Sequence, residues 1–456
     1  MCGIFGVYPH KDAAQLTCLG LYALQHRGEE SAGIISRQGK KVHLHKALGL
    51  VSDVFGDKTL RTLRGDFAIG HLRYSTTGGS NLKNTQPFYV RSKVGDIAIA
   101  HNGNLTNTSK LQAELQNNGA LFQTTMDSEL IVHLLAHSKQ KDLQGIVIEA
   151  LSKLEGAYSL ALMFNDTLIG ARDVFGWRPL CLGKLDDAYI LASETCALDL
   201  IGAKYIRDIA PGEIVFITKD KIDSVMPFKK SDKAFCIFEY IYFARPDSNV
   251  FEHNVYLARK RLGAQLAAEF SAQADLVMPI PDSGVFAALG FAEASKIPFE
   301  FGMIRNHYIG RTFIQPTQDL RDFRVRIKLN PLKEVLNGKK IIIVEDSIVR
   351  GTTSRSRVKN IRQAGAKEIH MRISCPPIRF PCFYGIDFPT KKELIAAKHD
   401  IAWVRDFIGA DSLEYLSLEG MLSSMPLPKE NFCTACFTGK YPSKQSGCCA
   451  KNILER

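Results

Sequence analysis

The stretch "GKKIIIVEDSIVRGTTSRSRVKNIRQAG", residues 338–365, constrains the fold more than any other part of the chain. Ile341 to Val344 form an apolar strand, which ends in two carboxylates, Glu345 and Asp346. A Ser/Gly/Thr loop follows, and then a helical pattern closed by glycine. A strand that is apolar on both faces has to be covered on both faces, and a helix that follows it supplies cover in a parallel arrangement. The rhythm recurs nearby: "NVYLARKRLGAQLAAEF" reads as helix, "ADLVMPIPDSG" as strand then loop, and "FAALGFAEAS" as helix. Residues 231–456 are therefore expected to form an α/β domain around a parallel sheet.

The first half has a different texture. "DFAIGHLRYSTTG", "DIAIAHNGNL" and "GAYSLALMFND" read as strands that end in polar loops, and helical patterns fall at 13–26 and 127–137. The second of these starts at the cap-like "MDSE". Strand layers flanked by helices predict an α+β sandwich over residues 1–230, with the change at the charged stretch "FKKSDKAF" (228–235). A chain of 456 residues is too long for one ordinary core, which agrees with two domains.

The net charge of +11 raises nucleic acid as a partner, but the Lys and Arg are scattered except between Arg305 and Lys340. A small polyanionic substrate explains a local cluster equally well. No apolar run approaches the roughly 20 residues of a membrane span. Nor does the start read as a signal peptide, so the cytoplasm is the expected compartment.

Eleven cysteines are an odd number, and a reducing compartment disfavours disulfides. Cys18, Cys181, Cys196 and Cys375 sit in apolar contexts and read as core, while Cys448 and Cys449 lie in a polar tail. Cys2, Cys236, Cys382, Cys433 and Cys436 remain.

Cys2 stands directly behind the initiator methionine. Trimming Met1 leaves a thiol beside its own α-amine, whose reference pKa of about 7.7–8.0 suits a base. Such a base activates the thiol for attack on a carbonyl. "HNGN" (101–104) offers donors to the resulting oxyanion, the Asn102 amide and the Gly103 backbone N–H. Arg73 and Asp127 could hold the carboxylate and the amine of an amino-acid substrate.

In "IIIVEDSIVRGTT" the two acids can accept hydrogen bonds from vicinal ribose hydroxyls, and the following loop and helix N-terminus can hold a phosphate. The pattern is not the GxxxxGK[ST] of a nucleotide-triphosphate loop. Cys433 and Cys436 form a CxxC that does not read as opening a helix, and Cys236 and Cys382 could complete four thiolates. Redox activity, zinc and an idle pair all stay open. One pair plus two single cysteines favours an iron–sulfur cluster slightly over zinc.

"MCGIFGVY", "LYALQHRGEESAGI", "HLRYSTTG", "HNGNL" and "DSE", in this order, resemble the glutaminase domain of class II amidotransferases, the N-terminal-nucleophile type. The resemblance implies an αββα sandwich, with Cys2 as nucleophile, Asn102 and Gly103 as oxyanion hole, and Arg73 and Asp127 as glutamine anchors.

"IIIVEDSIVRGTT" resembles the phosphoribosyl diphosphate (PRPP) signature of type I phosphoribosyltransferases. It implies PRPP contacts at Glu345, Asp346, Ser347, Arg350, Gly351, Thr352 and Thr353. "PDSG" would be the diphosphate loop, with Asp282, Ser283 and Gly284. Magnesium would lie near Ser283, Glu345 and Asp346. "NHYIGRTFIQPTQDLRDFRVRIKLNP" resembles the family's flexible catalytic loop, implying roles for Tyr308, Arg311, Ile314 and Lys328. Relatives usually carry two aspartates where this chain has Glu345 and Asp346, and commonly have proline at the position of Val174.

Together the halves resemble the glutamine phosphoribosylpyrophosphate amidotransferase family. "FEYIYFARPDS", "YLARKRLG" and "IGADSLEYLSLEG" extend the match over nearly the whole chain. The resemblance implies 5-phosphoribosylamine formation from PRPP and glutamine, the entry step of purine synthesis. It also implies purine-nucleotide feedback, a homotetramer, and a [4Fe–4S] cluster on Cys236, Cys382, Cys433 and Cys436. No nucleic acid or membrane partner is expected. A PRPP-sensing regulator would need a DNA-binding module that this sequence lacks, and sugar-phosphate aminating enzymes lack the two acids.

Overall fold

The computed structural model describes residues 1–74, 78–306, 329–388, 390–443 and 454. Among the described residues of the first half thirteen strands form two stacked antiparallel sheets. In chain order they are β1 (Gly3–Tyr8), β2 (Ser31–Gln38), β3 (Lys41–Leu48), β4 (Phe67–Arg73), β5 (Phe88–Ser92), β6 (Gly95–Leu105) and β7 (Gly156–Phe164). After these come β8 (Thr167–Arg172), β9 (Cys181–Leu185), β10 (Ala188–Ala192), β11 (Lys204–Asp208), β12 (Ile214–Ile217) and β13 (Ile222–Val225). The first sheet runs β11-β9-β10-β1-β4-β2-β3 and the second β13-β12-β8-β7-β6-β5.

The alternation of side chains along each strand fixes the layers. Ile4 and Tyr8 of β1, Phe67 and Ile69 of β4, and Ala98 and Ala100 of β6 meet in one core between the sheets. Their neighbours Phe5, Val7, Ala68 and Leu72 turn outward, onto helix Ala13–Ala23. Ile97, Ile99 and Leu105 of β6 likewise pack on helices Thr108–Asn117, Asp127–Ala136 and Leu143–Leu151. The result is the α+β sandwich expected from the strand and helix pattern, in the αββα order that the family resemblance implied.

In the second half, strands Leu276–Pro279, Lys340–Glu345, Glu368–Ile373 and Ser412–Tyr415 pair in parallel, in that order. Helices Val255–Glu269, Val285–Ser295 and Thr352–Gln363 and their neighbours cover this sheet. The all-buried run Ile341–Val344 is its centre, which is why it carries no polar face.

The two halves meet around Arg27, which is 1% exposed. Its guanidinium donates to Glu194 of the first half and, at 2.9 and 3.0 Å, to both carboxylate oxygens of Glu239 of the second. Burial alone would raise the Glu194 carboxyl, yet His26 and Arg27 hold it well below the usual carboxylate range. A buried ion pair of this kind adds little net stability, but removing one partner strands the other charge at a cost of about 3–5 kcal/mol. Its contribution is to fix how the halves sit against each other.

Candidate active sites

Strand parity carries the first site. Cys2 has the parity of Ile4, Arg73 that of Phe67 and Ile69, and Asn102 that of Ala98 and Ala100. All three side chains therefore face the space between the sheets, just beyond the apolar core. The β1–β4 register, Gly3 opposite Leu72, brings Cys2 to Arg73, and the Cys2 Sγ lies 3.6 Å from the Tyr74 carbonyl. Burial pushes the Cys2 thiol up, and the terminal amine, the Tyr74 carbonyl contact and Arg73 oppose that rise. Arg73 is 3% exposed and donates to the carbonyls of Gly79 (2.9 Å) and Gly78 (3.1 Å).

On the facing sheet, Asn102 is 1% exposed and its Nδ2 has no hydrogen-bond partner among the described residues. A buried amide donor without a partner is costly, which marks a place kept for a ligand. The two sheets are tied directly behind the site, where His71 Nε2 lies 3.1 Å from the His101 carbonyl. Gly103 is confined as well. A Cβ there would come within 2.0 Å of the Ala157 carbonyl, so only glycine fits.

Asp127 is the first residue of its helix, behind Met126, but its carboxylate does not cap that helix. Oδ2 instead accepts from the Leu105 N–H at 3.0 Å, and Oδ1 lies 3.4 Å from His101 Nδ1. Burial raises this carboxyl, but His101, Leu105 and Ser128 outweigh it and hold it below the usual range.

Met1 is present in this structure, 1% exposed, with its sulfur against Arg178, while Arg27 Nε donates to the Cys2 carbonyl at 3.0 Å. Burial lowers the Met1 amine to about 4.

The second site lies at the carboxyl edge of the parallel sheet. Pro279 pairs with Val344, so the loop Ile280–Gly284 and the loop after Glu345 leave adjacent strands side by side. The Ile280 N–H donates to Val344 O at 3.0 Å. Asp282 pairs with Arg305, and Gly284 opens helix Val285–Ser295 next to Ser283. Ser347 donates to Asp346 at 2.5 Å, and Arg350 pairs with Glu393. Gly351 precedes helix Thr352–Gln363, so Thr352 and Thr353 form its first turn.

Glu345 turns onto that helix. One carboxylate oxygen accepts from Ser354 at 3.0 Å and the other pairs with Arg357. Burial raises its carboxyl to about 7, against the pull of Arg357 and with the push of Asp346. Tyr308, Arg311, Ile314 and Lys328 lie outside the described residues, as do Cys448 and Cys449.

The four candidate cluster cysteines come together from distant parts of the chain. Phe235–Cys236 pairs in parallel with Phe432–Cys433, which sets Cys236 opposite Cys433. Cys236, Cys382, Cys433 and Cys436 line one cavity, with Trp177 and Tyr384. Among the described residues no three His, Cys, Asp or Glu side chains are placed to hold a single metal ion. The thiols are instead spread around the cavity walls. Burial pushes Cys236 up to about 11, and it raises Cys436 well above the ordinary thiol range with Cys433, Cys382 and Cys236 adding to it.

One expectation is corrected here. The CxxC does open a helix, Ala435–Thr438, but a helix of a single turn. Cys18 is also only partly buried, on helix Ala13–Ala23, whereas Cys181, Cys196 and Cys375 are buried.

Sequence reasoning missed Arg27, Glu194, Glu239, Arg178, Ser354 and Arg357. Glu239 had a signal, since a lone charge inside "CIFEYIYFA" has to find a buried partner.

Known proteins resemble this chain over nearly its whole length. The family described as glutamine amidotransferase domain matches residues 71–200. The amidophosphoribosyltransferase of Bacillus subtilis is 47% identical over 97% of this chain and 94% of its own. That of Methanocaldococcus jannaschii is 49% identical over 97% and 98%. The solved B. subtilis glutamine PRPP amidotransferase, complexed with ADP and GMP, superposes with a TM-score of 0.92 at 46% identity. It covers 97% of this chain and 98% of its own.

The two-sheet sandwich joined to a parallel-sheet domain defines a glutamine-dependent amidotransferase, and the protein is an enzyme. More narrowly, the chain belongs to the amidophosphoribosyltransferase family.

Proposed function

We infer that this enzyme moves the amide nitrogen of glutamine to PRPP, giving 5-phosphoribosylamine, glutamate and diphosphate, and so opens purine synthesis. The observation that carries the reading is the unpartnered Asn102 Nδ2, which shares the inter-sheet space with Cys2 and Arg73. In this reading Cys2 attacks the glutamine amide, Asn102 Nδ2 and the Gly103 N–H receive the oxyanion, and Arg73 and Asp127 hold the amino-acid ends. Ammonia leaves, water hydrolyses the thioester, and the ammonia attacks C1 of PRPP in the second domain as diphosphate departs.

In the second domain Asp282, Ser283 and Gly284 would face the diphosphate. Ser347, Arg350, Gly351, Thr352 and Thr353 would hold the 5-phosphate at a helix N-terminus. Glu345 and Asp346 would take the ribose hydroxyls. The hard oxygen donors of Ser283, Glu345 and Asp346 suit magnesium, which when bound would offset charge on the leaving diphosphate. Four thiols around one cavity, Cys236 and Cys436 buried and Cys382 and Cys433 partly so, suit an iron–sulfur cluster, which would cross-link the C-terminal segment to residues 236 and 382.

Feedback by purine nucleotides is supported by the ADP and GMP in the B. subtilis structure. A homotetramer is in keeping with exposed Leu19 and Tyr22 on helix Ala13–Ala23. Among the described residues no helix is long and apolar enough to cross a membrane, which agrees with a cytoplasmic enzyme.

Two measurements test this reading. Diphosphate should be released from PRPP with either glutamine or ammonia as nitrogen donor, and release with neither overturns it. Protein purified without oxygen should be brown, with broad visible absorption, and a colourless, zinc-loaded protein removes the cluster from the account.

A further inference from the structure

The thiol cavity and the oxyanion strand are built against each other. Between Cys382 and Ile386, both on the cavity wall, the chain turns through Phe383, Tyr384 and Gly385. The Phe383 carbonyl accepts from Asn104 Nδ2 at 3.0 Å, a contact 279 residues apart in sequence. The Tyr384 carbonyl accepts from Arg178 Nε at 3.0 Å, and its ring stacks on Trp177 with centroids 4.2 Å apart. Gly385 is buried at φ +104°, and a Cβ built on it would stand 3.2 Å from the carbonyl carbon and oxygen of Gly103 and equally close to Arg178 Nη2. On its other side Gly103 meets Ala157 of β7. The peptide after the oxyanion donor is thus gripped from the second domain on one side and from β7 on the other.

We propose that the turn Phe383–Gly385 is a positioning element for the oxyanion hole. It sets Gly103 through direct packing at Gly385 and through the Asn104–Phe383 hydrogen bond. The wall of the thiol cavity then governs glutamine hydrolysis and leaves the use of free ammonia alone. This rests on the assignment of Gly103 as an oxyanion donor but adds residues that touch no substrate.

Gly385→Ala tests it, because the new methyl crowds the Gly103 carbonyl, which has to give by a few tenths of an ångström, and an L side chain is strained at this φ. Loss of one oxyanion donor costs about 10²–10³ in kcat, so a displaced donor should cost roughly tenfold or more. The expected result is that fall in kcat for glutamine, with KM for glutamine and the ammonia-dependent rate each held within about twofold. Alkylation of Cys2 by iodoacetamide, followed by peptide mass mapping, should keep its wild-type rate, because displacement at a saturated carbon forms no oxyanion. Asn104→Ala, which removes the other link without backbone strain, should show the same split more weakly, and it carries the test if Gly385→Ala does not fold.

Unchanged glutamine kcat in a folded Gly385→Ala protein overturns the proposal. So does an equal loss of glutamine-dependent and ammonia-dependent rates. If the wild-type protein itself releases no diphosphate from PRPP, the functional reading fails instead, and the two failures are distinct.

Discussion

Cys2→Ala should abolish glutamine-dependent diphosphate release from PRPP, by about 10⁴-fold or more, while ammonia-dependent release stays within about twofold of wild type. The size follows from the chemistry, since without the thiol no acyl-enzyme forms and Asn102 and Gly103 have no oxyanion to receive. The selectivity follows from the architecture. Cys2 enters β1 at the inter-sheet space of the first half, whereas Glu345, Asp346 and the loop Ile280–Gly284 sit at the edge of a separate parallel sheet. The substitution removes one sulfur and leaves the Arg27 hydrogen bond to the residue 2 carbonyl in place, so the junction with Glu239 is kept. Parallel assays with the two nitrogen donors check it. Glutamine use that survives the substitution would remove Cys2 from the nucleophile role, and loss of both rates would mean that the variant disturbs the second domain.

What could be read from the sequence was local. Alternation along β4 and β6 sends Arg73 and Asn102 to the same space, and the apolar run Ile341–Val344 requires burial on both sides. Those facts need only a few consecutive residues. The Arg27–Glu239 pair spans 212 positions and the Asn104–Phe383 bond 279, and no periodicity encodes which distant residue will answer a buried charge or amide.

Asp127 looked like a cap because a carboxylate at a helix start ordinarily serves the helix amides. Here the Leu105 N–H and His101 compete for it and win, and only the packed structure brings them there. The helix Ala435–Thr438 escaped notice because four residues are too few to show a helical period. The acids at 345 and 346 were visible, but not that Glu345 would fold back onto Ser354 and Arg357 of the following helix.

Retention of Met1 should be as damaging to glutamine use as loss of the thiol, with every side chain intact. With Met1 attached, the Cys2 nitrogen is a peptide amide and no longer a base. The terminal amine then belongs to Met1, where burial lowers it to about 4, while the Cys2 thiol is raised above its ordinary 9.0. Proton transfer from that thiol to that amine runs steeply uphill, so the displaced amine cannot substitute. Met1 is also only 1% exposed and packs its sulfur against Arg178, so an aminopeptidase has no access to the 1–2 bond once the chain has folded. Removal is therefore expected before the N-terminus docks.

Protein made while methionine aminopeptidase is inhibited, and verified by intact mass, should match Cys2→Ala in losing glutamine use and keeping ammonia use. The aminopeptidase added afterwards should trim a free peptide "MCGIFG" readily and the folded protein hardly at all. Wild-type glutamine turnover in Met1-bearing protein would mean that another group takes the thiol proton. Rapid trimming of the folded chain would mean that the N-terminus leaves its pocket on the timescale of catalysis.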